Sequence, residues 1–248
     1  VLILLPPSES KTGRRRGNPV DLKKLSFPEL TPVREQVMDA LEQVSRRADA
    51  PALLGVSANL RDEIDHNLEL HEAPALPASR LYTGVLYDAL DHTSLDTAAK
   101  RRANRWLLVA SALFGVLRLT DPVPPYRLSM AVNLGDLGPL ASVWREPLAE
   151  VLPAAAGSGV IVDCRSSTYA AAWTPHDGLA QRWVQIRVPG ATHMAKHTRG
   201  LVARHLCQVG QPARNPEALE RLLSPAFTTL LTPSPRPGRP WILDATAA

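Results

Sequence analysis

Ser111–Met130 reads SALFGVLRLTDPVPPYRLSM, and the fold turns on how this stretch is read. An apolar run, Trp106–Leu113, leads into it and predicts a buried strand or helix end. Gly115 then permits a sharp turn. Asp121 with Pro122, Pro124 and Pro125 excludes a regular helix or a central strand beyond that point. The resulting stiff loop carries Arg118, Asp121, Tyr126 and Arg127. It is either a solvated Pro-rich connector or a loop that holds something, since long ordered loops are often functional.

Working outward, other strands announce themselves. Val1–Leu5 is expected to be a first buried strand: Pro6–Pro7 follows at once, and no basic region precedes it as in a signal-peptide core. Gly159–Cys164, GVIVDC, is β-branched and compact, and Trp183–Val188 alternates. Phe227–Leu231 and Trp241–Asp244 are further strands around a Pro/Arg-rich turn, Pro233–Pro240. Helices are expected at Thr31–Arg47, Asn59–Leu70, Tyr82–Leu90, Asp96–Arg105, Pro139–Leu152, Thr192–Gln208 and Pro216–Leu223. Strands and helices interleave, which predicts a mixed α/β (α+β) fold with one core, a single domain over residues 1–248.

Polar groups gather just beyond the predicted strands. Ser8, Glu9, Ser10 and Lys11 follow the first, and Arg165, Ser166, Ser167 and Tyr169 follow GVIVDC. In an open α/β sheet such loops line the ligand crevice. A buried Lys11 would lose its proton and serve as nucleophile or base; exposed, it would pair with Glu9. Ser166 or Ser167 is alternatively a helix cap. On the Thr192–Gln208 helix, Lys196 and Arg199 share a face. Gly200 in mid-helix costs roughly 1 kcal/mol, so something is expected to approach closely there. His193 and His197 stand four apart, but no third ligand is evident, so no metal and no cofactor is expected.

Five blocks resemble the YaaA family of peroxide stress proteins. They are Leu5–Lys11, Tyr82–Tyr87, Leu113–Met130, Asp163–Tyr169 and His193–Gly200, in the family's order and spanning nearly the whole chain. The resemblance implies an unusual mixed fold with a basic cleft, singles out Ser8 and Lys11, and implies DNA binding in the peroxide response. Leu113–Leu117 is also similar to a helix–hairpin–helix turn, which holds a phosphate on backbone N–H groups, although Leu117 stands where a second glycine is usual. The chain departs from the family in a short Pro189–Thr192 segment and in Ala195, where an asparagine is typical.

Composition permits an anionic partner without requiring one. The formal net charge is +4, and Lys100, Arg101, Arg102 and Arg105 form the best basic patch; Arg14–Arg16 forms a basic loop. Aromatics are only 5%, too few for a long stacking platform. Cys164 and Cys207 are far apart with no CxxC, which excludes a zinc ribbon or thioredoxin motif and suits a cytoplasmic location. No apolar run approaches a membrane span of about 18 residues, so no membrane partner is expected. The leading expectation is therefore duplex DNA binding through a basic cleft, with Ser8, Arg101, Arg102, Arg105, Gly115, Arg118, Tyr126, Arg127, Arg165, His193 and Arg199 as contacts. The alternative is an enzyme acting on a nucleobase, nucleoside or related small anionic ligand, with Lys11, Ser166, Tyr169 and Lys196 as catalytic groups.

Overall fold

The computed structural model describes residues 1–190 and 194–247. Its centre is a seven-stranded sheet built from β1 (Leu2–Leu5), β2 (Leu107–Ser111), β3 (Gly115–Arg118), β4 (Ile161–Asp163), β5 (Trp183–Arg187), β6 (Phe227–Thr232) and β7 (Trp241–Ala247). Across the sheet the order is β3-β2-β1-β4-β5-β7-β6. The strands from β2 to β7 in that order run parallel; β3 and β6 close the two edges antiparallel. Parallel strands are covered on both faces, so LILL, LLVAS and IVD are apolar and buried without alternation. The fold is thus mixed α/β.

The main helices are α1 (Thr31–Ser45), α2 (Val85–Leu90), α3 (Thr97–Trp106), α4 (Arg145–Ala156), α5 (Met194–Val209) and α6 (Pro216–Leu223). Asp96 and Asn215 cap α3 and α6, each side chain accepting a backbone N–H at 2.7 and 2.8 Å. Three expected helices are cut. Pro139–Leu152 is interrupted at Trp144, between a short Leu140–Val143 helix and α4. Asn59–Leu70 breaks into short turns around Arg61–Asp65, where Asn67 turns its amide inward. The Tyr82–Leu90 helix begins only at Val85, because Tyr82 bridges to Lys11 and Gly84 sits at φ +96°.

The Ser111–Met130 stretch is a β-hairpin followed by a pinned loop, and this overturns the helix–hairpin–helix expectation. β3 folds back on β2 with Ser111 opposite Gly115. Ala112, Leu113 and Phe114 are fully buried, so no phosphate reaches the turn. Gly115 has φ +74°, and a Cβ there would lie 2.7 Å from Trp144 Cζ3. Trp144 in turn donates its indole N–H to the Ala112 carbonyl at 2.8 Å. Arg34, wholly buried on α1, donates to the Phe114 and Val116 carbonyls (3.0 and 3.1 Å) and to Ser26 O (2.9 Å). Asp121 accepts from the Ser26 N–H and hydroxyl (3.1 and 2.8 Å) and from the Arg118 N–H (2.8 Å). What this part of the loop holds is the protein itself.

Candidate functional site

β1 lies between β2 and β4, so successive connections leave it in opposite directions. A doubly wound sheet opens a crevice at such a switch, outside the carboxyl ends of the strands. Cys164 N–H bonds to Leu4 O at 2.9 Å and holds the two strand ends together. Beyond them lies a cleft of about 520 Å³. Its walls come from Pro6–Ser10 after β1, Leu54–Val56, Thr83–Tyr87 at the start of α2, Arg127–Ser129, Ser166 and Tyr169 after β4, and Lys196 and Arg199 on α5.

Arg127 is fixed from both sides. Its backbone N–H donates to Asn67 Oδ1 at 2.8 Å, and Asn67 Nδ2 donates to Arg127 O at 3.0 Å. Its guanidinium reaches Glu63 at 2.8 Å and Glu9 at 3.1 Å. Arg199, on α5, also lines the cleft, and its Nε donates to Ile186 O at 3.3 Å. Lys196 is exposed and makes no ion pair among the described residues. Ser166 occupies the cap position of the short Ser167–Ala170 helix, yet its side chain makes no capping bond. Tyr87 donates to Pro6 O at 2.7 Å, bracing the loop after β1. Burial pushes the Tyr169 phenol well up, so it stays a neutral donor.

Lys11 backs the wall and does not form it. Its ammonium donates to the carbonyls of Ser8 (2.9 Å) and Glu9 (3.3 Å) and lies 4.3 Å from the Tyr126 ring centre. Burial, then the Arg127 charge, pushes its pKa down to about 7; Glu63 and Glu9 oppose. Beneath it, Tyr126 shares hydrogen bonds with Tyr82 (2.8 Å) and with Ser111 (2.7 Å), which also accepts the Phe114 N–H. The Tyr126 hydroxyl therefore faces the core and not the cleft.

The family described as peroxide stress protein YaaA matches residues 1–229. The chain belongs to that YaaA family. It is also 46% identical to a UPF0246 protein of Streptomyces coelicolor, over 98% of this chain and 97% of the relative. A UPF0246 protein of Corynebacterium glutamicum is 37% identical over 88% and 89%, and an uncharacterized protein of Campylobacter jejuni is 28% identical over 90% of each. All five YaaA-like blocks send residues to the one cleft: Ser8, Thr83–Tyr87, Arg127, Ser166 with Tyr169, and Lys196 with Arg199.

Other predicted site residues lie elsewhere. Arg165 is buried and spans Asp163, with Nε and Nη2 at 2.9 and 2.8 Å, and Trp183 donates to the same carboxylate at 3.0 Å. Arg118 donates to Arg105 O at 2.8 Å, closing the end of α3. Arg102 does the same for α5 through Cys207 O at 2.6 Å. Arg101 and Arg105 are exposed on α3, and neither lines the cleft. Gly115 is sealed behind Trp144. His193 lies outside the described residues. Among the described residues no group of three or more His, Cys, Asp or Glu is placed to hold a metal ion.

Gly200 does mark a close approach, but to protein: a Cβ there would lie 2.8 Å from Ala89 Cβ and nearer still to Leu86 O. The space beside Gly200 is filled by α2, so no ligand enters at that point. Sequence reasoning missed Glu63, Asn67 and Arg34. Only Arg34 left a signal, its spacing with Val37, Met38 and Leu41 on the buried face of α1.

Proposed function

We propose that the protein is an enzyme of the peroxide-stress response that takes a small anionic molecule into the cleft at the β1–β4 switch. Membership of the YaaA family supports the peroxide link. The observation that carries the rest is the convergence of Arg127, Lys196 and Arg199 from separate segments on one concave site. Cations on different elements recognise a discrete anion, and the hydroxyls of Ser166 and Tyr169 beside them add neutral donors. Leu54, Val56, Leu86 and Leu128 form an apolar side suited to a planar ring such as a nucleobase. Lys11, whose ammonium holds the Ser8 and Glu9 carbonyls from behind the wall, braces the loop that carries both residues. Two free, buried cysteines suit a reducing cytoplasm. No described helix is long and apolar enough to cross a membrane.

A second reading, duplex DNA binding, is favoured by the exposed cations Arg14–Arg16, Arg101 and Arg105. Such contacts touch phosphates without reading sequence. Calorimetry with nucleosides, nucleotides and inorganic phosphate, set beside duplex gel shifts at low and physiological salt, separates the two. The enzyme reading predicts small-molecule binding that is lost in Lys196→Met and Arg199→Met. Salt-sensitive duplex binding alone, carried by the arginines of α3 and weakened for all sequences alike in their triple variant, would replace it with the DNA reading.

A further inference from the structure

Arg127 is an enclosed cation of the cleft, its side chain 15% exposed, and its two ends are held by different carboxylates. Glu63, 44% exposed, belongs to the short Arg61–Asp65 helix. Glu9 is 80% exposed and stands on the cleft wall itself. We propose that Glu9 occupies the place of an acidic group of the ligand. The ligand then carries two such groups, carboxylate or phosphate, one on Arg127 in place of Glu9 and the other between Lys196 and Arg199. This inference rests on the small-anion reading above and adds the ligand's class.

Three features support it. A guanidinium presents a fork that matches a carboxylate or phosphate oxygen pair, and here one arm meets only a single, solvated glutamate oxygen. An ion pair with so exposed a partner is weak, so a ligand oxygen displaces it readily, while Glu63 stays to balance the site. The exchange needs only a side-chain rotation. Lys11 holds the Ser8 and Glu9 carbonyls, and Tyr87 holds Pro6 O, so the loop backbone remains in place as Glu9 swings out.

The test is calorimetric titration of the full chain and of Glu9→Gln with succinate, pyrophosphate and acetate. Glu9 is exposed, so the variant melts with the wild type, and Glu9→Ala serves as a second variant. Removing the internal competitor is expected to tighten binding of succinate or pyrophosphate about two- to fivefold, the range an exposed ion pair is worth. Acetate, a single acid group satisfied by Lys196 and Arg199, is expected to be unchanged. A gain for succinate alone assigns a carboxylate to Arg127, and a gain for pyrophosphate alone assigns a phosphate. Wild-type binding that both variants leave unchanged or weaken, or an equal gain for acetate, overturns this inference and leaves the proposed function standing. No binding of any of the three acids to either protein overturns both.

Discussion

Gly200→Ala puts the packing of the cleft to a test of sign. In a helix exposed to water this substitution stabilises by about 1 kcal/mol, because glycine loses more backbone freedom on folding. Here the new methyl would meet Ala89 Cβ at 2.8 Å and Leu86 C at 3.1 Å, with Leu86 O closer still. Ordinary carbon–carbon contact is about 3.5–4.0 Å, so α5 and α2 must part by roughly 1 Å. Two of the three obstacles are backbone atoms, which no side-chain rotation can move aside. Overpacking of this kind costs about 1–3 kcal/mol, and the upper part of that range applies. After the helix-propensity gain, a net loss of about 1–2 kcal/mol remains, or roughly 2–8 °C in Tm for a chain of this size. Both walls of the cleft move with it, since Leu86 and Tyr87 belong to α2 and Lys196 and Arg199 to α5. Urea unfolding measures the first effect and ligand titration the second. A Gly200→Ala protein as stable as the wild type, or more so, refutes the close approach.

Arg165→Met strands the buried Asp163 carboxylate and is expected to destabilise by about 3–5 kcal/mol, read by urea unfolding; a loss of ligand binding with stability intact would make Arg165 a site residue after all. Lys196→Met is expected to leave Tm nearly unchanged and to abolish anion binding, read by calorimetry. For Lys11, the folded pKa of about 7 lies below the unfolded value near 10.5, so the unfolded chain binds the extra proton between those limits. Its burial penalty is full below pH 7 and is relieved as pH rises. The stability of Lys11→Met relative to wild type is therefore expected to fall from pH 7 to pH 10, and a difference flat with pH would place Lys11 in solvent. Competitive acetylation should titrate Lys11 near pH 7.

The strands were legible because parallel strands buried on both faces leave continuous apolar runs, as in LILL before Pro6 and in GVIVDC. Their loops were legible as a site for the same reason, since polar residues directly after a buried strand fall at the sheet's carboxyl edge. The charges of Ser111–Met130 were not. Whether a guanidinium meets water, a ligand or a carbonyl is decided by where a distant helix ends, as with Arg118 on α3 and Arg102 on α5. Arg34 hides likewise, since a helix arginine ordinarily faces solvent and only its phase with Val37 and Leu41 speaks otherwise. At Gly200 the sequence pointed to a close approach but not to what approaches. Glu63 and Asn67 gave no sign, because their partner is more than sixty positions away or close to it.

The central claim is that the cleft between the ends of β1 and β4 is where the chain meets its ligand. Crystals of the full chain soaked in inorganic phosphate, succinate and a nucleoside monophosphate test it most directly. The account predicts density in the cleft, with acidic oxygens within hydrogen-bond distance of Lys196 and Arg199 and, for a two-acid ligand, of Arg127 with Glu9 turned away. Density confined to Arg14–Arg16 or to α3, with only water in the cleft, would contradict it.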